Sequence, residues 1–313
     1  ITIDKDFICA ANRINDISEA LLKTVNTYPN FQNKLKGVDS VIFLSPFIEE
    51  CNINGQSHTA FGKQKFNIEV GSNKFKLTLI WVTANNIPEL EGLLAHEIGH
   101  TFDLQHSFML LCGENERLRE FDIQSCRAIA YVDILDPMGL GALSDNFNAY
   151  HKAKAGWFID YNKQKENIIT HSPETNNEED IFRIYALEAQ GNKNKAIRYF
   201  FRYFENIEFI GQGTEGVVEY DFYLEYRKEW DSIFLNIAPR NYQYSLKSIQ
   251  IPINDPGGGD GDNLLILPQF DVDGGENYFK PRQTLGFQVV GKAPATNSIE
   301  NQYVDLQIKV FNR

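Results

Sequence analysis

Residues 96–106 read HEIGHTFDLQH, which places three histidines and a glutamate within eleven positions. His96 and His100 are four apart, so on a helix they project from one face, one turn above the other. Two imidazoles so placed can reach a single metal ion at ~2.0–2.1 Å. Glu97 sits about 100° further round the helix, where it can face a water on that ion without being a ligand. The flanking residues support a helix. Asn85 or Asn86 can cap it, Pro88 suits the first turn, and Leu90, Leu93, Leu94 and Ile98 recur at helical spacing. His106 poses a separate problem, because on a straight helix it would lie on another face, about 9 Å beyond His100. If all three histidines are to meet one ion, the chain must turn just after His100. Glycine is the usual residue for such a turn, since it takes positive φ without strain. Here the position holds Asp103, and Asp is among the few other residues that tolerate the left-handed region.

The H-E-x-x-H spacing is that of zinc hydrolases, with the glutamate as general base. The whole run, His96-Glu97-x-x-His100-x-x-Asp103-x-x-His106, resembles the metzincin metallopeptidase signature H-E-x-x-H-x-x-G-x-x-H, with Asp for Gly as its one departure. The resemblance implies a Met-turn, a tight turn whose Met forms an apolar floor below the ligands. Asp136-Pro137-Met138-Gly139 is a turn by composition. Met138 is one of only two methionines, and the other, Met109, lies too close to the helix to serve. The segment from Tyr131 to Trp157 also resembles the gametolysin-like branch of metzincins. The matching residues are Tyr131, Asp133, Met138 and Gly139, then Phe147-Asn148-Ala149, His151-Lys152 and Gly156-Trp157. The likeness covers roughly residues 40 to 160 and is weaker beyond, where Tyr223-Leu224-Glu225-Tyr226-Arg227 looks like a strand motif of that family.

This resemblance implies a zinc-dependent endopeptidase acting on protein or peptide substrates. His96, His100 and His106 would hold Zn²⁺ as neutral imidazoles. Glu97 would take the proton of the zinc-activated water and pass it to the leaving amine. The substrate would lie extended along an edge strand by β-augmentation. Two other readings compete. Glu120 lies twenty residues after His100, which is the spacing of a third ligand in thermolysin-like zinc peptidases. Alternatively, the chain is a zinc-containing binding module without activity, although an intact Glu97 argues against a dead site.

Composition narrows the partners. The chain has 313 residues and a net charge of −12. That balance argues against nucleic acid and against anionic membrane surfaces, both of which need basic patches. No apolar run is long enough to span a membrane. The opening ITIDKDFICAANRI has neither a basic start nor a long apolar core, so no signal peptide is expected in it. The four cysteines, Cys9, Cys51, Cys112 and Cys126, form no C-x-x-C pair. Their even number suits two disulfides in a secreted or extracellular protein, with three connectivities open.

Two domains are expected. Residues 1–165 should form an α/β metzincin-like catalytic domain, a mixed sheet plus helices. Its elements would be a helix at Asp16–Thr27, a buried strand at Val38–Pro46, a rim loop at Asn54–Gly62, an edge strand at Phe66–Val70 and a strand at Lys76–Val82 feeding the active-site helix. From about Thr101 the chain reads as mostly irregular. A polar, Pro-punctuated linker near residues 160–180 leads to residues 166–313, an all-β, sandwich-like domain. Its strands are marked by Tyr220, Phe222, Leu224 and Tyr226 on one face, and later by Val304, Leu306, Ile308 and Val310. Such a domain could bind a cell-surface or matrix target. Its acidic glycine loops offer Asp260, Asp262, Asp271 and Asp273 as candidate Ca²⁺ ligands, although plain hairpin turns have the same composition. His58 and His171 read as surface residues. His151 reads as structural, with an alternative role, beside Tyr150, in stabilising an oxyanion.

Overall fold

A computed structural model of the chain describes residues 23, 37–46, 55–57, 66–70, 73–84, 87–112, 121–122, 126–129, 133–139, 146–160, 165–171, 179–191, 193–200, 220–228, 232–239, 261–271, 277–280, 285–292 and 303–312. The chain divides into two compact units, residues 1–104 with 141–143, and residues 105–140 with 144–313.

The first unit contains β1 (Ser40–Pro46), β2 (Gly55–Ser57), β3 (Phe66–Val70), β4 (Asn73–Ala84) and α1 (Ile87–Thr101). β4 is the organising strand. It pairs in parallel with β1, from Ser40↔Thr78 to Pro46↔Ala84, and antiparallel with β2 and β3. Leu77, Ile80 and Val82 of β4 are buried, and α1 packs on that strand. The strand expected to be buried at Val38–Pro46 is only partly so, because Ile42 is 41% exposed. Part of the expected rim loop is the short strand β2. The expected helix at residues 16–27 lies outside the described residues apart from Lys23, as does His58.

The second unit runs β5 (His106–Cys112), β6 (Phe121–Asp122), β7 (Cys126–Ile129), α2 (Ala149–Lys154), β8 (Ile159–Asp160), β9 (Lys165–Glu166), β10 (Ile168–His171), β11 (Glu179–Tyr185), β12 (Ala196–Phe200), β13 (Tyr220–Arg227), β14 (Ser232–Pro239), β15 (Gly261–Asp271), β16 (Asn277–Lys280), β17 (Leu285–Lys292) and β18 (Tyr303–Asn312). A seven-stranded sheet has the order β10-β12-β13-β14-β15-β5-β7, and a five-stranded sheet the order β11-β18-β17-β16-β6. The chain after Thr101 is therefore not irregular throughout. His106–Cys112 is a mostly apolar run of strand length, and it finds partners on both sides: parallel to β15 and antiparallel to β7. The boundary expected between residues 165 and 166 runs inside this unit, since one sheet takes strands from both sides of it.

The two sheets touch through His171 of β10, whose ring lies 5.4 Å from Phe182 of β11 and 5.3 Å from Tyr199 of β12. His171 is thus a half-buried strand residue and not a surface linker residue. Its Nε2 is 3.1 Å from Asp180 Oδ2.

β13 departs from the one-faced pattern its alternation suggests. Asp221 to Arg227 are all buried, so the strand is covered on both faces. One set of alternate residues is the apolar Phe222, Leu224 and Tyr226. The other includes Tyr223, Glu225 and Arg227, and α2 packs against this strand. Tyr150 of α2 meets Tyr223 edge-on, with ring centroids 5.6 Å apart, inside a cluster that also holds Ala149, Phe158, Ile168, Leu187, Ala196 and Ala238.

Across β5 and β7 the register sets Cys112 directly opposite Cys126, the juxtaposition that one of the three disulfide connectivities requires. Cys9 and Cys51 lie outside the described residues, as do Asp260 and Asp273. Asp262 and Asp271 belong to the two ends of the extended strand β15.

Candidate metal centre

Helix α1 ends in a motif built for reversal. The N–H of Asp103 donates to the His100 carbonyl at 3.0 Å, and the N–H of Leu104 donates to the Gly99 carbonyl at 3.3 Å. This is the paired bonding of a Schellman cap, which satisfies carbonyls the helix would otherwise leave open. Asp103 takes the left-handed position with φ 67°, and it is the only non-glycine with positive φ among the described residues. The turn buries Leu104 completely. It also brings the Leu104 carbonyl to 2.9 Å from His100 Nδ1. A carbonyl can only accept, so Nδ1 carries the proton and Nε2 is the lone-pair nitrogen, the tautomer a metal ligand needs.

The candidate ligand atoms of His96, His100 and His106 lie within 4.8 Å of one another, the only group of this kind among the described residues that could hold a metal ion. The His96 and His100 rings are edge-on, 4.8 Å apart. His106 opens β5 and is 6% exposed. Three nitrogen donors gathered at this spacing suit a borderline-soft divalent ion.

Glu97 is the other unusual group. It is 6% exposed, whereas Leu90, Leu93, Leu94 and Ile98 on the same helix are only half-buried. Its Oε2 is buried without a hydrogen-bond partner. Burial pushes its carboxyl up to about 8. A carboxylate left bare in this way, directly after a candidate ligand, fits a site whose charge balance is completed by a cation.

The DPMG stretch forms a hydrogen-bonded turn, with the Gly139 N–H donating to the Asp136 carbonyl at 2.9 Å. The Asp136 carboxylate organises it. Oδ1 accepts from the Met138 N–H at 2.7 Å, and Oδ2 accepts from the Asn148 N–H at 2.6 Å and from His151 Nδ1 at 2.9 Å. His151 is fully buried by this pairing, and Tyr150 sits in the core beside it. Both are therefore structural groups here and not oxyanion donors. Met138 is also fully buried. Its carbonyl accepts from the N–H of Ser107, the residue after His106, at 2.9 Å. The Ser107 hydroxyl donates to Asp133 Oδ2 at 2.5 Å, and Asp133 Oδ1 accepts from the Leu135 N–H at 2.8 Å. Burial, with the neighbouring Asp136 charge adding to it, pushes Asp133 up to about 7.

No family model, curated protein or solved structure matches the chain. The site is thus read from its own geometry. The sequence marked His96, Glu97, His100, His106 and Met138. It did not single out Ser107, Glu225 or Arg227 for this neighbourhood. The signal of Glu225 and Arg227 was indirect, two opposite charges two apart on an aromatic-rich strand, and Ser107 had none. Glu120 lies outside the described residues.

The left-handed Asp103 supplies a direct test. A non-glycine at this φ is strained by roughly 1 kcal/mol. Asp103→Gly relieves the strain but loosens the unfolded chain. The expected net change in urea-unfolding stability is within about 1 kcal/mol either way, with metal binding retained. Asp103→Val should lose both stability and metal, since a β-branched residue tolerates positive φ poorly. If Asp103→Gly proves as damaging as Asp103→Val, the carboxylate and not the backbone is what the site needs.

Proposed function

We propose that the chain is a zinc-dependent endopeptidase of metzincin type. The observation that carries the reading is the convergence of His96, His100 and His106 with a buried, unpartnered Glu97 oxygen beside them. The donor set fits zinc: three imidazoles and no thiolate, the set of catalytic zinc sites that keep a fourth position open. A zinc ion held there supplies a Lewis acid that acidifies water and polarises a peptide carbonyl. The chain's own residues do the rest. His100 is kept in the ligating tautomer by the Leu104 carbonyl. Glu97 accepts the proton of the attacking water at its carboxylate and delivers it to the leaving amine. Its elevated proton affinity in the metal-free chain reflects desolvation, and a neighbouring dication lowers it toward the value a base needs near neutrality. The reading keeps protein or peptide substrates, a secreted or extracellular setting and a substrate-recruiting role for the β-strand-rich part as further proposals.

The test is the ligand set. His106→Ala is expected to lower zinc affinity by at least tenfold, while Glu120→Ala leaves it intact, as read by competition with a chromophoric chelator. The reverse pattern would replace this reading with the thermolysin-like one. Zinc-loaded wild type that cleaves nothing in a broad peptide library would leave a binding module.

A further inference from the structure

The second unit holds a buried ion pair that the mechanism above does not use. Arg227, on β13, donates from Nε to Glu225 Oε1 at 2.7 Å. Its other nitrogens donate to the Leu135 carbonyl at 3.0 Å and the Asn146 carbonyl at 3.2 Å. The second oxygen of Glu225 accepts from the Ala149 N–H at 2.5 Å, at the start of α2. Arg227 is 2% exposed and Glu225 0%. The pair therefore grips two segments at once: the residue just before the Asp136–Gly139 turn, and the stretch that enters α2. The Asp136 carboxylate ties together the same two segments. From the turn a short path leads onward, because the Met138 carbonyl holds the Ser107 N–H next to His106.

A buried ion pair contributes little net stability compared with well-packed apolar residues of the same volume. What a guanidinium does offer is a planar fork whose donors fix directions. Here the fork donates to the Glu225 carboxylate on its own strand and to two backbone carbonyls, one just before the turn and one just before α2, with the Glu188 carboxylate 3.7 Å from Nη1. We propose that Glu225 and Arg227 are positioning residues for the metal centre: they hold the Met138 turn, and through it Ser107, so that His106 is presented to the ion. The inference rests on the metal-binding reading above. It assigns a residue pair far along the chain to the quality of that site and not to substrate recognition.

The experiment measures zinc affinity by chelator competition, with the ligand-field absorption of the Co²⁺-substituted protein as a second readout. It is run at a temperature where every variant is folded by circular dichroism. Arg227→Lys keeps the charge but loses the fork, and Glu225→Gln with Arg227→Met removes the charges together. Both are expected to bind zinc about 10–100-fold more weakly and to shift the Co²⁺ bands. Leu306→Ala, in the buried face of β18, is the control for general destabilisation and should leave affinity unchanged. Wild-type affinity in the folded Arg227 variants overturns the inference. So does an equal loss in Leu306→Ala. If neither Arg227 variant folds, the near-isosteric Glu225→Gln decides, because its amide NH2 must face one of the two donors the carboxylate held: weakened zinc supports the inference and unchanged zinc overturns it. A wild-type chain that takes up no zinc overturns the metal reading itself, and this inference with it.

Discussion

Glu97→Gln is expected to bind zinc stoichiometrically and to lose at least ~10²-fold in peptide hydrolysis, the scale of a lost general base. The substitution is close to isosteric, so the helix and its histidines have no steric reason to move. What changes is proton chemistry. The carboxylate oxygen that lies buried without a hydrogen-bond partner becomes part of an amide that cannot take a proton near neutral pH. Glu97 is not one of the three grouped ligands, so metal content and turnover should separate. Metal content by elemental analysis and cleavage of a quenched peptide substrate, measured on the same preparation, check this. Full turnover in Glu97→Gln would remove Glu97 from the mechanism. Loss of zinc along with activity would make it a ligand.

Gly139→Ala is expected to be strongly destabilising. A Cβ at this position would stand 2.1 Å from the Asp133 carbonyl oxygen and 2.8 Å from its carbon. The obstacle is backbone and cannot swing away as a long side chain would. Nor can Asp133 shift freely, because its carboxylate is held by Ser107 and by the Leu135 N–H. Overpacking usually costs ~1–3 kcal/mol, and a clash with tethered backbone belongs at or above the upper end of that range. Since the same turn holds Ser107 beside His106, zinc affinity should fall with stability. A urea-unfolding midpoint matching wild type would mean that the turn has slack this packing denies it.

The parts of the site that could be read from sequence are those governed by local rules. Helical spacing placed His96 above His100, and the chemistry of positive φ marked Asp103 as the turning residue, which it is. Asp136-Pro137-Met138-Gly139 was legible as a turn because proline and glycine punctuate it. What was hidden depends on partners distant in sequence. The segment beginning at His106 looked irregular because its parallel neighbour β15 follows only much later in the chain. Nothing local marks Glu225 and Arg227 as buried, because charged residues alternating with aromatic ones usually form the solvent face of a strand. Here a short helix covers that face, and the charges are satisfied by each other and by turn carbonyls. His171 was misplaced for the same reason, since no local pattern announces a ring contact between sheets.

The place of β5 in its sheet limits how such a chain can be divided, in the laboratory or over generations. His106 begins a strand whose neighbours are β7 on one side and β15 on the other. Cutting the chain near residue 165 would strip β15 away and leave a row of open amides on the strand that begins at His106, an edge prone to pair with other molecules. Residues 1–165 therefore do not keep all their sheet partners when cut out of the chain. In the order of synthesis, the pairing of His106 with its register partner Gly261 becomes possible only once residue 261 has been made.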